Sequence, residues 1–295
     1  MELIKTVNGS TDILGIIGDP IEHTFSPELH NTISRHLGIN ALYLPFHVHR
    51  ENVKDAVMGL KAINAKGFNI TIPHKESISV HLDEVSNEAM FIGAINTVKL
   101  KNGRLCGYNT DGEGFKRSLI EEHNITFNEK NVLVLGAGGA AKSIIYTAAS
   151  NNAKKITIVN RSVERAERIA EKINSKNPNL ADYLGIDDLR IYDVIKKSEI
   201  IINTTSLGMH PDVNSSPLND EIIFLKDQII CDVIYNPQKT RLLSNAEKQG
   251  CRILNGLGML FFQGVIAYEI WMELKISSSD VNMLYECFKG IFNKK

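Results

Sequence analysis

Short apolar runs alternate with stretches of helical periodicity through the first 110 residues. ILGIIG (13–18), LYLPFHV (42–48) and FNITI (68–72) read as strands, whereas the segment opening at Pro27 and residues 53–63 gather apolar side chains on one helical face. Such alternation is the pattern of βαβ units and predicts a mainly parallel sheet. Ser26 ahead of Pro27 has the make-up of an N-cap followed by a first-turn proline. Within INTVKLKNGRLCGYN (95–109), Asn102-Gly103 supplies the positive φ angles of a tight turn, so an antiparallel hairpin is expected and the sheet becomes mixed.

A second alternating series begins at Asn131, with VLVLG (132–136), KITIVN (155–160), EIIINTT (199–205) and QIICDVIY (228–235) separated by helical patterns. This predicts a separate doubly wound domain. Two final helical segments, 259–274 and 279–292, have no strand after them and are expected to return to the first domain. The expected fold is therefore α/β in two domains. Residues 1–111, completed by helices in 258–295, form a mixed, mainly parallel domain for substrate binding and catalysis; residues 112–257 form a Rossmann-type doubly wound domain, with a cleft between them.

Composition narrows the function. A net charge of −1 gives no electrostatic reason for binding nucleic acid or a membrane surface. Cys106, Cys231, Cys251 and Cys287 are far apart with no Cys-x-x-Cys, which argues against a zinc site or disulfide framework and for reduced thiols. No basic, apolar leader opens the chain, so a cytoplasmic location is expected. The longest apolar stretch, 258–272, is interrupted by Gln263 and Glu269 and is too short and polar to span a bilayer. His47 and His49 share a strand face, but no third ligand is apparent and no metal is expected.

Candidate chemistry lies in polar segments that follow apolar runs. Lys75 in NITIPHK (69–75) is expected at a strand end or in the first turn of a helix. Asp111 in GYNTDG (107–112) follows a short strand and opens a helix. An ammonium and a carboxylate at strand ends facing one cleft form a pair that passes a proton to or from a substrate hydroxyl. Gly136-Ala137-Gly138-Gly139-Ala140-Ala141 fits G-x-G-x-x-G/A between a strand and a helix, the context in which backbone approaches a pyrophosphate at a helix N-terminus. After the second strand of that domain, where an NAD site has Asp or Glu, stand Asn160, Arg161 and Ser162, with Arg165 one turn on. Planar guanidinium groups suit a 2′-phosphate, so NADP is preferred to NAD. Thr204, in EIIINTT (199–205), is expected to be a further cofactor contact. No Ser-His-Asp arrangement or G-x-S-x-G elbow supports hydrolysis.

From residue 15 to 264 the chain resembles the shikimate dehydrogenase family, in GDPIEHTFSPELHN (18–31), NITIPHK (69–75), GAINT (93–97), GYNTDG (107–112), GAGGAA (136–141), NRS (160–162), DVIYNPQKT (232–240) and NGLGMLFFQG (255–264). The resemblance implies reduction of 3-dehydroshikimate to shikimate with NADPH, a step toward aromatic amino acids, by a monomer or homodimer. It implies that Thr24 and Ser26 hold the substrate carboxylate, that Thr71, Lys75, Asn96, Asp111 and Gln263 surround the ring hydroxyls, and that Tyr235 adds a phenolic contact. Gly256, with Met259 nearby, would line the nicotinamide side, and Val233 matches a position that touches the cofactor in the family. Lys75 would be the general acid, oriented by Asp111.

The family's carboxylate motif usually reads Ser-x-Ser, and Thr24 departs from it, narrowing the pocket and leaving quinate open as substrate. His23, His30 and His74 lie inside the matching motifs without a proton-transfer role, and His23 and His74 are expected to shape loops. Phe261, Phe262, Tyr268 and Trp271 fall at helical spacing and read as core. The rival readings are a quinate/shikimate dehydrogenase using NAD and a non-catalytic NADP-binding regulatory protein.

Overall fold

A six-stranded sheet lies in each of two units of the computed structural model, which describes residues 7–22 and 24–292. One unit comprises Met1–Thr110 with Phe261–Lys295 and the other Asp111–Leu260. Asp111, expected to close the first domain, thus begins the second unit.

The first unit runs β1 (Asp12–Gly18), α1 (Ser26–Leu37), β2 (Ala41–His47), α2 (Val53–Ala62), β3 (Gly67–Ile70), β4 (Glu84–Val85), α3 (Asn87–Ile92), β5 (Thr97–Lys101) and β6 (Arg104–Tyr108). Its strand order is β2-β1-β3-β5-β6-β4. β1 is parallel to β2 and β3, while β5 is antiparallel to β3 and β6, which makes the sheet mixed. Every residue of β3 is buried, so it reads as a continuous apolar run interrupted only by Asn69. Val53, Val57 and Leu60 of α2 pack with Phe68, Ile70 and Val98 in the core of this sheet. The β5–β6 hairpin turns at Asn102 (φ 51°) and Gly103 (φ 75°), as Asn-Gly predicts.

Two local expectations change. The strand predicted over 68–72 stops at Ile70, and Lys75 lies in a run of turns over 72–77 instead of at a strand end or in a helix. Ser26 is not the N-cap of α1 but its first residue; Phe25 holds the cap position and offers no side-chain acceptor. Ser26 is buried and hydrogen-bonds Tyr43, so its hydroxyl serves a tertiary contact in place of a cap.

The second unit runs α4 (Asp111–His123), β7 (Asn131–Leu135), α5 (Gly139–Ser150), β8 (Lys155–Asn160), α6 (Val163–Asn174), β9 (Ala181–Gly185), α7 (Ile191–Lys197), β10 (Ile200–Asn203), β11 (Ile229–Asp232), α8 (Arg241–Lys248) and β12 (Arg252–Leu254). All its strands are parallel, in the order β12-β11-β10-β7-β8-β9. This is the doubly wound Rossmann order, with its switch point between β7 and β10. The edge strands β9 and β12 escape prediction because β9 buries only Ala181 and Leu184, three apart and out of strand alternation, and β12 has three residues.

α9 (Gly256–Met272) carries the chain from one unit into the other between Leu260 and Phe261, later than the expected division at 257/258, and α10 (Ser278–Phe292) follows. Both helices are core elements of the first unit beyond that point. The Trp271 indole donates to the Val98 carbonyl (2.9 Å), the Tyr268 hydroxyl meets Ser34 Oγ (2.9 Å), and the Phe261 ring lies 4.8 Å from that of Tyr285. Among the described residues no helix is long and apolar enough to cross a membrane.

Candidate active site

In the first unit the turns after β3 are fastened through their backbone. Thr71 N–H donates to the Ile17 carbonyl (3.0 Å), His74 N–H to the Thr71 carbonyl (2.9 Å) and Ile95 N–H to the Lys75 carbonyl (2.8 Å). His74 is fully buried and its Nε2 meets the Val48 carbonyl at 2.7 Å, tying these turns to the chain beyond β2. Lys75 is therefore held beside the chain that leads into Asn96, with its side chain half-buried.

Asn96, 2% exposed, is the hub of a polar array. Its Oδ1 accepts from Thr110 N–H (2.9 Å) and the Thr97 hydroxyl (2.9 Å), while its Nδ2 donates to Thr110 Oγ1 (2.9 Å) and Gln263 Oε1 (3.4 Å). Asn69 extends the array: its Nδ2 donates to the Asn96 carbonyl (3.0 Å) and Thr97 Oγ1 (3.1 Å), and its Oδ1 accepts from the Tyr43 hydroxyl (2.7 Å). Tyr43 reaches back to Ser26, and burial pushes its phenol well above the usual range, so it stays a neutral donor. Thr24 Oγ1 accepts from Ser26 N–H (3.3 Å). The structure thus joins Ser26, Asn96 and Gln263 through Tyr43, Asn69, Thr97 and Thr110, and Thr24 stands beside Ser26.

Asp111 is the next residue after Thr110 and the first of α4, 6% exposed, where the helix dipole favours a carboxylate. A side chain at the following Gly112 would come within 2.2 Å of Thr147 Oγ1 and 2.5 Å of the Ser143 carbonyl, so glycine is what lets α4 pack against α5.

The glycine-rich segment follows β7. Gly136 has φ +115°, and a Cβ there would lie 2.4 Å from Thr204 Oγ1. At Gly138 and Gly139 nothing lies within 4 Å of such an atom, and α5 starts from Gly138 with no side-chain cap. Open backbone at an uncapped helix N-terminus after the first strand of a doubly wound sheet fits a pyrophosphate. Ala137 is buried beneath it and Ala140 is partly exposed in the first turn. Arg161 and Arg165 are exposed, and among the described residues neither forms an ion pair with Glu164 or Glu167. Those carboxylates accept instead from the Ser162 (2.9 Å) and Tyr183 (2.5 Å) hydroxyls. Asn160 Nδ2 donates to the Ser162 carbonyl (2.8 Å), shaping the turn that bears Arg161.

Thr204 directs its hydroxyl to the Leu135 carbonyl (2.7 Å) and braces the glycine loop. Gly256 packs on the backbone of Val233, with a Cβ there only 2.0 Å from its carbonyl oxygen. Met259 is buried and Tyr235 half-buried, its phenol raised by that burial. Beneath this segment, Asp232 accepts from Asn203 Nδ2 (3.1 Å), the Thr240 hydroxyl (2.8 Å) and Ile234 N–H (3.0 Å). Burial nevertheless pushes its carboxyl up to about 6.

The family model of the shikimate dehydrogenase substrate binding domain matches residues 16–98, and that of shikimate / quinate 5-dehydrogenase matches residues 118–220. A shikimate dehydrogenase (NADP(+)) of Methanococcus aeolicus is 45% identical over 278 residues, which are 94% of this chain and 97% of that protein. The chain belongs to the shikimate dehydrogenase family. Two solved structures carry the likeness into three dimensions. A shikimate dehydrogenase in complex with NADP+ is 38% identical with a TM-score of 0.86, covering 95% of this chain and 96% of its own. The Listeria monocytogenes shikimate 5-dehydrogenase in complex with shikimate and NAD is 38% identical with a TM-score of 0.90, covering 97% and 99%.

For a shikimate dehydrogenase family member the sequence reading missed Tyr43, Asn69, Thr97 and Thr110. A signal was present in Asn69, a polar side chain between Phe68 and Ile70 in a buried strand, because a buried amide demands partners. The reading also missed a third group beside His47 and His49: Asp19 hydrogen-bonds both. His23 lies outside the described residues.

Proposed function

We propose that this protein catalyses the reversible, NADP-dependent reduction of 3-dehydroshikimate to shikimate, in the pathway to aromatic amino acids. The observation that supports the reading is the buried array in which Asn96 bonds Thr110 and Gln263, with the Lys75 carbonyl bonded by Ile95 N–H, the residue before Asn96, and Asp111 next in the chain after Thr110. A small polyhydroxylated carboxylate requires several fixed donors and acceptors, and these hydroxyl and amide groups are already in place.

In this reading Thr24 and Ser26 hold the substrate carboxylate, with Tyr235 adding a phenolic contact, and Thr71, Asn96 and Gln263 hold the ring hydroxyls. Lys75 donates a proton to the oxygen on ring carbon 3, and Asp111 orients the ammonium and accepts a hydrogen bond from the hydroxyl so formed. The nicotinamide, when bound, supplies the hydride that carbon receives. The backbone from Gly136 to Ala140 receives the pyrophosphate. Arg161 and Arg165, with Asn160 and Ser162, receive the 2′-phosphate; Thr204 and Val233 contact the cofactor, and Gly256 and Met259 line its nicotinamide side. With Glu164 and Glu167 engaged by Ser162 and Tyr183, and neither arginine in an ion pair among the described residues, NADP is supported over NAD. A cytoplasmic monomer or homodimer goes with this reading.

Thr24 favours a second reading for the substrate alone, since its methyl changes the carboxylate pocket and bears on shikimate against quinate. Initial rates followed by nicotinamide absorbance, crossing shikimate and quinate with NADP and NAD, test both. The expected result is preference for shikimate with NADP. Preference for quinate moves the substrate assignment to Thr24, preference for NAD overturns the arginine assignment, and no turnover with any pair overturns the enzyme reading.

A further inference from the structure

The parallel pairing of β1 and β2 sets Gly18 opposite His47, so Asp19, the next residue, faces the end of β2. Asp19 Oδ1 lies 2.7 Å from His47 Nε2 and Asp19 Oδ2 lies 3.1 Å from His49 Nδ1. The two imidazole rings stand edge to face, 4.6 Å between centroids. The potential ligand atoms of the three residues all fall within 4.8 Å of one another. Four ligands at zinc-like bond lengths of about 2.0–2.1 Å are separated by about 3.3 Å, so little movement separates this trio from a coordinating one.

We propose that Asp19, His47 and His49 form a binding site for a zinc-like divalent transition-metal ion, distinct from the candidate active site. Two imidazole nitrogens and one carboxylate oxygen are a borderline donor set, suited to Zn²⁺, Co²⁺ or Ni²⁺ and unsuited to Mg²⁺ or Ca²⁺, which prefer oxygen ligands throughout. The side chains are 31% (Asp19), 42% (His47) and 56% (His49) exposed, so an ion reaches them from solvent and water completes its coordination. Glu22 Oε1 lies 3.9 Å from His47 Nδ1, the side away from Asp19, where a carboxylate near a ligating histidine steadies its ring. Asp19 already hydrogen-bonds both rings and gathers the three groups at this point. A divalent ion takes the place of the shared protons. It would fasten the end of β1 to the end of β2 at the root of the segment leading to Thr24 and Ser26.

The test is calorimetric titration of the chelator-treated full chain with ZnCl2, alongside Co²⁺ titration followed by visible absorption. One ion per chain is expected, with affinity at least about tenfold weaker in His47→Gln and in His49→Gln. Since His49 is largely exposed, the metal-free His49→Gln variant should melt with the wild type, so lost binding is not lost folding. Absence of saturable binding up to millimolar Zn²⁺ would overturn the proposal. Unchanged affinity in both variants would also overturn it, assigning the ion to another surface group such as Cys287 or the His36–Asp280 pair.

Discussion

Asn96 in the first unit and Arg161 in the second are each proposed to contact one part of a bound molecule, yet they are built in opposite ways. Asn96 is 2% exposed and engaged with Thr97, Thr110 and Gln263. Arg161 is exposed on a turn shaped by Asn160. A rigid, hydroxyl-rich acid is discriminated by donors that cannot move, and burial with mutual hydrogen bonds fixes them. A dinucleotide phosphate is recognised by charge and open backbone, for which Gly138, Gly139 and exposed guanidinium groups suffice. The polar array proposed for the substrate is consequently part of the first unit's core, whereas much of the segment proposed for the cofactor is laid on the surface of the second unit.

Predictions that break or sharpen this contrast begin with Lys75. Lys75→Ala should lower kcat by about 100-fold or more with a smaller change in KM, measured by steady-state kinetics. Wild-type turnover in that variant would remove Lys75 from proton transfer. Asn69→Leu should destabilise the protein by about 3 kcal/mol in urea unfolding, since it removes three buried hydrogen bonds, to the Tyr43 hydroxyl, the Asn96 carbonyl and the Thr97 hydroxyl, at about 1 kcal/mol each. An unchanged midpoint would mean that the array is not part of the core.

Asp232 provides a pH test in the second unit. Its folded pKa, about 6, lies above the ordinary 3.8, so the unfolded chain releases this proton first as pH rises. The stability it contributes is fully present below 3.8 and is lost as pH rises through about 6. Between pH 4.5 and 7 the wild type should lose about 2 kcal/mol relative to Asp232→Asn. A difference between the two proteins that does not vary with pH would remove burial as the governing effect. The smallest expected change is in the double variant Arg161→Gln/Arg165→Gln: KM for NADP should rise about tenfold or more, KM for NAD should barely move, and the unfolding midpoint should stay within about 0.5 kcal/mol of wild type. A matching loss of stability would show that the arginines belong to the core after all.

Wherever chemistry is local, the amino-acid order alone was decisive. Alternating apolar runs gave the α/β class, Asn102-Gly103 its hairpin, and a glycine-rich turn after an apolar strand the dinucleotide segment, because turn geometry and strand burial depend on neighbours in the chain. Tertiary structure decided what depends on residues far apart. Ser26 forgoes the cap its position suggests because Tyr43 lies against it, and Asn69 becomes intelligible only once Asn96 and Thr97 stand across the sheet. The edge strands β9 and β12 are held by their neighbours' pairing more than by any pattern of their own. Asp19 joins His47 and His49 only because β1 and β2 run parallel in one register. Periodicity carries which face of an element is buried, but it carries no information about which polar group waits on the other side.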